Sequence, residues 1–232
     1  NLIKQGEEKW RVHNVGLPIN DIIYNKMFLD FKNLKNKFNL IASKPLIILT
    51  YHSITTQPQL ARRQIKIILK SIDYLIKNYN CQIIATYPNN DVGSEDIINE
   101  LEQFKKKNKE FSLYKSLGNH IYHSLLNLSK KIDVIVVGNS SSGIKEAVAF
   151  KCPVINIGSR QNGRLKPKNV FDVECDNLRI IKKIKKILFN KLLKKQLKKV
   201  KNPYYKKNSG KQIVKIIENI RLDEKIIRKK IR

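Results

Sequence analysis

Apolar residues along this chain fall into two alternating patterns. Five short runs, Leu46–Leu49, Gln82–Ala85, Val134–Val137, Val154–Ile157 and Val170–Val173, are nearly continuous in β-branched and other apolar residues. Such runs suit strands covered on both faces. Between them lie longer stretches with apolar residues every three or four positions, the period of a helix with one buried side. Ala61 to Lys77 carries Ile65, Ile68, Leu69, Ile72 and Ile76 in that way, and Glu95 to Lys107 and Asn119 to Leu128 read similarly. The stretch 21–38 is expected to be a helix leading into the main domain. Strands alternating with helices predict an α/β fold built on a parallel sheet. The opening segment, Asn1 to about Asn20, carries Arg11–Gly16 and then Pro18, and resembles the last strand and exit turn of another unit. The chain shows no internal repeat and no low-complexity linker.

In open parallel sheets, ligands bind beyond the carboxyl ends of the strands. The exits here are Thr50-Tyr51-His52-Ser53-Ile54-Thr55, Thr86-Tyr87-Pro88-Asn89-Asn90-Asp91, Gly138 to Gly143, and Gly158-Ser159-Arg160. Each carries groups able to meet a phosphate, a base or a sugar. Four such exits together point to one binding edge.

The stretch Asp133 to Arg164 concentrates this chemistry. A strand runs into the small-residue turn Gly138-Asn139-Ser140-Ser141-Ser142-Gly143, and a helix is expected to open at Ile144 with Glu146 in its first turn. A second strand then leads to Arg160, Gln161, Gly163 and Arg164. Free amides at a helix start, serine hydroxyls and an arginine fork all suit a phosphate. Glu146 is placed to accept hydrogen bonds from sugar hydroxyls. The plainer reading is ordinary capping, worth roughly 1 kcal/mol for a serine and about 0.3–1 kcal/mol for a first-turn carboxylate. Three consecutive serines exceed what one cap requires, and two arginines follow the next strand.

Composition narrows the classes. The 232 residues are 41% hydrophobic, enough for one large or two small domains. Cys81, Cys152 and Cys175 lack metal-ligand spacing and read as buried reduced thiols of a cytoplasmic protein. No apolar run approaches the ~20 residues of a membrane span, so no membrane partner is expected. The chain begins at Asn1 and is expected to be part of a longer product. The formal charge is +28, which raises nucleic acid as a partner. Much of the excess, however, lies in Arg179–Lys201 and Arg221–Arg232. In the first of these, Ile180, Ile181, Ile184, Ile187, Leu188, Leu192 and Leu193 keep helical spacing and lysines fill the remaining positions. That is an amphipathic helix with a solvated basic face. Aromatic and basic residues do not alternate as a base-stacking surface would require, so no specific nucleic-acid partner is expected. His120 and His123 read as ordinary helix residues, and no metal site is expected.

The segments GNSSSGIKEA (138–147), PVINIGSRQNGR (153–164), NV (169–170), YHSITT (51–56) and PNNDVGS (88–94) resemble the UDP-N-acetylglucosamine 2-epimerases. The closer match is the hydrolysing branch; non-hydrolysing relatives read more like SGGxQEE at the serine turn. The resemblance runs from Arg11 to about Ile217, in the family's order. It implies a glycosyltransferase-B arrangement of two Rossmann-like domains. Residues 1–20 would end a mostly absent first domain, 21–44 form a connecting helix, 45–201 form the UDP-binding second domain with its Rossmann-like parallel sheet, and 202–232 form a crossing helix and basic tail. It also implies roles: His52 beside the diphosphate and reaction centre, Asn89 near the uridine, and Ser140 and Ser141 at the diphosphate, where the small-residue turn itself adds Ser142 and Gly143 as candidates. Glu146 would hold the ribose hydroxyls and Arg160 a phosphate or the nucleotide; Arg164 stands beside Arg160 as a second candidate from the basic loop itself.

The implied reaction converts UDP-N-acetylglucosamine and water to N-acetylmannosamine and UDP, in bacterial sialic-acid-type sugar synthesis. The alternatives are a UDP-diacetamido sugar as substrate, a non-hydrolysing epimerase, or a nucleotide-binding fragment without catalysis. The family's acidic catalytic residues lie in the first domain, so this chain alone is expected to be inactive. The partner implied is a UDP-sugar, no cofactor is implied, and the complete protein would be a homodimer or homotetramer. Two departures stand out. His52-Ser53-Ile54-Thr55 replaces the usual HPVT, and Asn202-Pro203-Tyr204-Tyr205-Lys206-Lys207 replaces NPYGDG; the second bears on the terminal packing.

Overall fold

The computed structural model describes residues 1–228; positions 229–232 of the expected basic tail lie outside them. The helices in chain order are α1 (Ile19–Asn25), α2 (Phe31–Phe38), α3 (Ala61–Tyr79), α4 (Ser94–Lys107), α5 (Gly118–Asn127), α6 (Ser141–Lys145), α7 (Asn177–Phe189), α8 (Lys191–Lys198), α9 (Ser209–Asn219) and α10 (Glu224–Ile227). The strands are β1 (Leu46–Thr50), β2 (Gln82–Thr86), β3 (Phe111–Tyr114), β4 (Val134–Gly138), β5 (Val154–Ile157) and β6 (Val170–Val173). Two compact units emerge: Met27–Asn202, and Asn1–Lys26 together with the segment from Pro203.

The larger unit is the expected α/β fold. All six strands pair in parallel, in the order β3-β2-β1-β4-β5-β6. Leu46 to Leu49 are fully buried, as a strand covered on both faces requires. Ile47 and Leu49, with Ile83, Ala85, Ile135, Val137, Ile155 and Ile157, meet Ile65, Ile68, Ile72 and Leu75 of α3 and Ile180, Ile184 and Ile187 of α7. Each fully buried Ile or Leu contributes about 1.5–3 kcal/mol, so this layer contributes a large share of the unit's stability. α6 packs on β4 and β5.

β3 was not among the five expected strands. Only Phe111 and Leu113 of its four residues are buried, and it sits at the sheet edge. The stretch 21–38 is two helices rather than one. α1 stops at Asn25, and Asp30 starts α2 afresh by accepting from the Asn33 N–H at 2.8 Å. The basic stretch 179–201 is likewise divided. Asn190 is extended, and its side chain caps α8 by accepting from Leu193 N at 2.8 Å. The amphipathic reading holds within α7, where Ile180, Ile184 and Ile187 are buried and Lys182, Lys185 and Lys186 are exposed. Cys81 and Cys152 are buried, Cys175 is half-buried, and all three are free thiols. Burial pushes the Cys81 thiol up to about 12.

In the smaller unit the opening segment forms no strand. Its backbone groups bond to the C-terminal segment instead: Leu17 N donates to Tyr204 O, Lys206 Nζ to Asn14 O and Ser209 Oγ to Val15 O. Gly210 N also donates to Asp21 Oδ2, and the Tyr205 ring lies 4.3 Å from that of Tyr24. The departing loop sequence at Tyr204–Lys207 thus makes contacts of its own here.

Candidate functional site

The ends of β1, β2 and β4 are level: Thr50 pairs with Thr86 on one side and with Gly138 on the other. Thr50 and Thr86 join their hydroxyls at 2.6 Å. Beyond this edge the chains leaving β1 and β4 are tied together. The buried Asn139 accepts from His52 N at 2.7 Å and donates to His52 O at 2.8 Å, and Asn139 N donates to Thr50 O. A side-chain amide thereby pairs with both backbone groups of a residue that has no sheet partner.

The serine turn is itself helical. Ser140 is the N-cap, its hydroxyl accepting from Ser142 N, and α6 opens at Ser141. The expected start at Ile144 is therefore corrected. Glu146 stands at the C-terminal end of α6, where a short 3-10 turn (Ala147–Phe150) takes over, and not in a first turn. The favourable dipole contribution expected for Glu146 is absent. Small polar residues resemble a loop in sequence, yet one serine cap suffices to start the helix among them. Gly143 lets α6 lie against the sheet: a Cβ there would stand 3.1 Å from Val154 Cγ1 and 3.5 Å from Val136 Cγ1.

His52, Ser140, Ser142 and Glu146 line one cavity of about 230 Å³, with Thr50, Thr86, Tyr87, Tyr122, the Lys115–Leu117 loop and Gly118 and Asn119 at the start of α5 completing its wall. Ser140 and Ser142 bring their hydroxyls to 3.0 Å, and Ser142 donates to Tyr122 OH at 3.2 Å. Behind the wall, Glu146 Oε2 is 2.6 Å from His123 Nε2. His52 Nδ1 is 3.0 Å from both the backbone N and Oδ1 of Asn89, whose Nδ2 donates to Asp91 at 2.7 Å. Arg160 lies 3.7 Å from Asp91 and donates to Asn139 O at 3.2 Å, beside Gln161, which donates to the same oxygen at 2.7 Å. Burial, followed by the Arg160 charge, lowers the His52 pKa from its ordinary value. At neutral pH the ring is therefore uncharged and able to take a proton.

The expected residues separate by position. Asn89 and Arg160 sit in the hydrogen-bonded network beside His52, outside the lining itself. Gly143 is buried under the serine turn, Ser141 is the first residue of α6, and Arg164 is exposed on its loop; none of the three lines the cavity. Sequence reasoning passed over Tyr122 and the Lys115–Asn119 segment, and its reading of His123 as an ordinary helix residue is corrected by the bond to Glu146. The segment follows β3, so the alternation of Phe111 and Leu113 ahead of Gly118 was the signal available. A larger cavity of about 790 Å³ lies near Gly158 and α7. It shares no residue with the first, and its Arg179 is paired with Glu174 at 2.8 Å.

Hydroxyl donors, a lysine on the adjoining loop, a carboxylate and an uncharged imidazole around one cavity suit a ligand with both phosphate and sugar parts. Comparison with known proteins agrees with that chemistry. The profile of the family described as UDP-N-acetylglucosamine 2-epimerase matches residues 1–218. A GDP/UDP-N,N'-diacetylbacillosamine 2-epimerase (hydrolyzing) of Campylobacter jejuni is 38% identical over 178 residues, covering 76% of this chain and 44% of the relative. A UDP-N,N'-diacetylbacillosamine 2-epimerase (hydrolyzing) of Legionella pneumophila is 30% identical over 230 residues, 98% of this chain and 57% of the relative. The chain thus spans about half the length of these curated relatives. Among solved structures, the Methanocaldococcus jannaschii UDP-GlcNAc 2-epimerase, in complex with UDP-GlcNAc and UDP, superposes with a TM-score of 0.65 at 20% identity, covering 94% of this chain and 57% of that one. At that identity the likeness concerns the fold.

Proposed function

Because this chain belongs to the UDP-N-acetylglucosamine 2-epimerase family, we propose that it is the C-terminal, nucleotide-binding part of a hydrolysing 2-epimerase. The observation that carries this reading is the opening of His52, Ser140, Ser142 and Glu146 onto one cavity at the carboxyl ends of β1 and β4. The serine hydroxyls, with Lys115, hold the diphosphate. Glu146 accepts from the ribose hydroxyls. His52 stands at the diphosphate, with Asn89 fixing its ring and burial, followed by the Arg160 charge, keeping it uncharged.

The reaction is an elimination followed by hydration. A base removes the proton on C2 of the sugar, the C1–O bond breaks, and its electron pair leaves with UDP. Water then adds to the resulting glycal: its oxygen bonds to C1, and C2 is reprotonated on the opposite face, leaving a free 2-acetamido sugar. His52 is suited to exchange a proton with an oxygen at the diphosphate. The base at C2 would come from the half of the protein beyond this chain.

On this reading the substrate is UDP-N-acetylglucosamine and the product N-acetylmannosamine. A UDP-diacetamido sugar is the second reading, favoured by the names of the Campylobacter and Legionella relatives. Incubating the complete protein with each sugar nucleotide and identifying products by NMR separates the two. Free 2-epimerised sugar with UDP is the expected product pair, and a UDP-linked epimer would overturn the hydrolysing assignment. The 232 residues alone should bind UDP and show no turnover; turnover by them would place the C2 base within this chain.

A further inference from the structure

The buried pair behind the cavity wall goes beyond the expected site residues. We propose that His123 is a positioning residue that holds the Glu146 carboxylate toward the ribose hydroxyls and thereby makes the site prefer ribonucleotides over deoxyribonucleotides. This rests on the reading of the cavity as a UDP site.

His123 belongs to α5 and is absent from the cavity lining, so it acts through Glu146 alone. Its side chain is 1% exposed, whereas that of Glu146 is 20% exposed. The imidazole is enclosed by aromatic rings, with Phe28 at 6.4 Å, Phe150 at 5.7 Å and Tyr122 at 5.9 Å between centroids. Its Nε2 lies 2.6 Å from Glu146 Oε2, and its Nδ1 is buried without a partner. A hydrogen on Nδ1 would be a buried donor lacking an acceptor, which costs more than a bare ring nitrogen. The hydrogen-bond network therefore assigns the hydrogen to Nε2, which donates to the carboxylate.

Glu146 needs such a tether. It sits where α6 gives way to a 3-10 turn, so no long regular helix fixes its direction. A carboxylate also turns easily about its terminal torsion. Tyr122 OH, the other polar group close by, accepts from Ser142 rather than bonding to Glu146. With His123 outside the lining and donating to Oε2, Oε1 and the remaining lone pairs are left to accept from a ligand in the cavity that Glu146 lines. A ribose diol presents two adjacent donors and gains from an acceptor pair held in one orientation; a 2′-deoxyribose presents only one of them.

Calorimetric titration of the full-length protein with UDP and with 2′-deoxy-UDP tests this. The unaltered protein should prefer UDP by about ten- to a hundredfold. His123→Phe should cut that preference by roughly tenfold and leave 2′-deoxy-UDP affinity within about twofold. His123→Asn, which is too short to reach Glu146, should do the same and covers the case in which the phenylalanine variant does not fold. His123→Gln, able to place an N–H near the former Nε2, should recover most of the preference. Equal weakening of both nucleotides, or an unchanged preference in both the phenylalanine and asparagine variants, overturns the proposal. Glu146→Ala locates any failure. If it abolishes the preference while the His123 variants do not, only the histidine's role is lost. If it leaves the preference intact, the ribose reading of Glu146 falls as well.

Discussion

Glu146→Ala weakens UDP binding to the full-length protein by roughly ten- to a hundredfold. Its carboxylate lines the cavity and offers the acceptors that ribose hydroxyls need. A hydrogen bond to a charged group is worth about 1.5–3 kcal/mol, and each 1.4 kcal/mol is tenfold in affinity. The sign of the change is diagnostic in a chain of formal charge +28. If UDP were held only by diffuse positive charge, removing a carboxylate would tighten binding or leave it alone. The substitution also deprives the buried His123 N–H of its acceptor, at a stability cost of about 1–3 kcal/mol, so affinity must be read on protein shown to be folded. Lys195→Ala is the paired control. Lys195 is exposed on α8, and its charge is screened from a distant ligand at moderate salt. Tighter UDP binding by the Glu146 variant would remove its ribose role, and a large loss in the Lys195 variant would show that the basic helix face contributes to binding.

Gly138→Ala lowers folding stability by roughly 2–6 kcal/mol, a large part of the 5–15 kcal/mol typical of a domain. Gly138 ends β4 at φ 135°, where side-chain-bearing residues are rarely found. A Cβ there would fall 1.9 Å from the Thr50 carbonyl oxygen and 2.7 Å from its carbon. Relief requires that β1 and β4 separate or that the backbone turn over. Strain of the first kind costs about 1–3 kcal/mol through overpacking, and the backbone contributes about 1–3 kcal/mol more. Urea unfolding followed by circular dichroism measures the difference. Stability within about 0.5 kcal/mol of the unaltered protein, the usual range for a harmless substitution, would mean that the strand ends are free to adjust.

The central sheet was legible in sequence because strands buried on both faces leave little choice of residue. Leu46–Leu49 and Val134–Val137 are continuous apolar runs, and both are buried throughout. β3 escaped because an edge strand of four residues needs only Phe111 and Leu113 to be apolar, too short an alternation to stand out. With β3 went its exit loop, and so the Lys115–Asn119 wall of the cavity. The breaks at Asn25–Phe31 and at Asn190 were hidden for a different reason: hydrophobic spacing carried across them, while the cap that restarts each helix is a single Asp or Asn. Around the site, motif resemblance singled out His52, Ser140, Ser142 and Glu146, which share the cavity, and Arg164, which does not line it. Local pattern could not reveal His123. Its partner Glu146 lies 23 positions away, and a histidine amid apolar helix residues looks the same whether it meets a carboxylate or only fills space.

The strand order β3-β2-β1-β4-β5-β6 also dictates when the cavity can exist during folding. β1, β2 and β3 pair with their neighbours in sequence, but β4 must return past both β2 and β3 to reach β1. That closure spends chain entropy before its contacts repay it. His52 lies on one side of the β1–β4 seam and Ser140 on the other, while Lys115 follows β3, so all three converge only once the return is complete. A nucleotide held by them stabilises a state that folding reaches late. Saturating UDP should therefore slow unfolding in stopped-flow denaturant jumps and leave the refolding rate unchanged. Faster refolding with UDP would mean that the seam closes early and that the cavity is among the first parts of the domain to form.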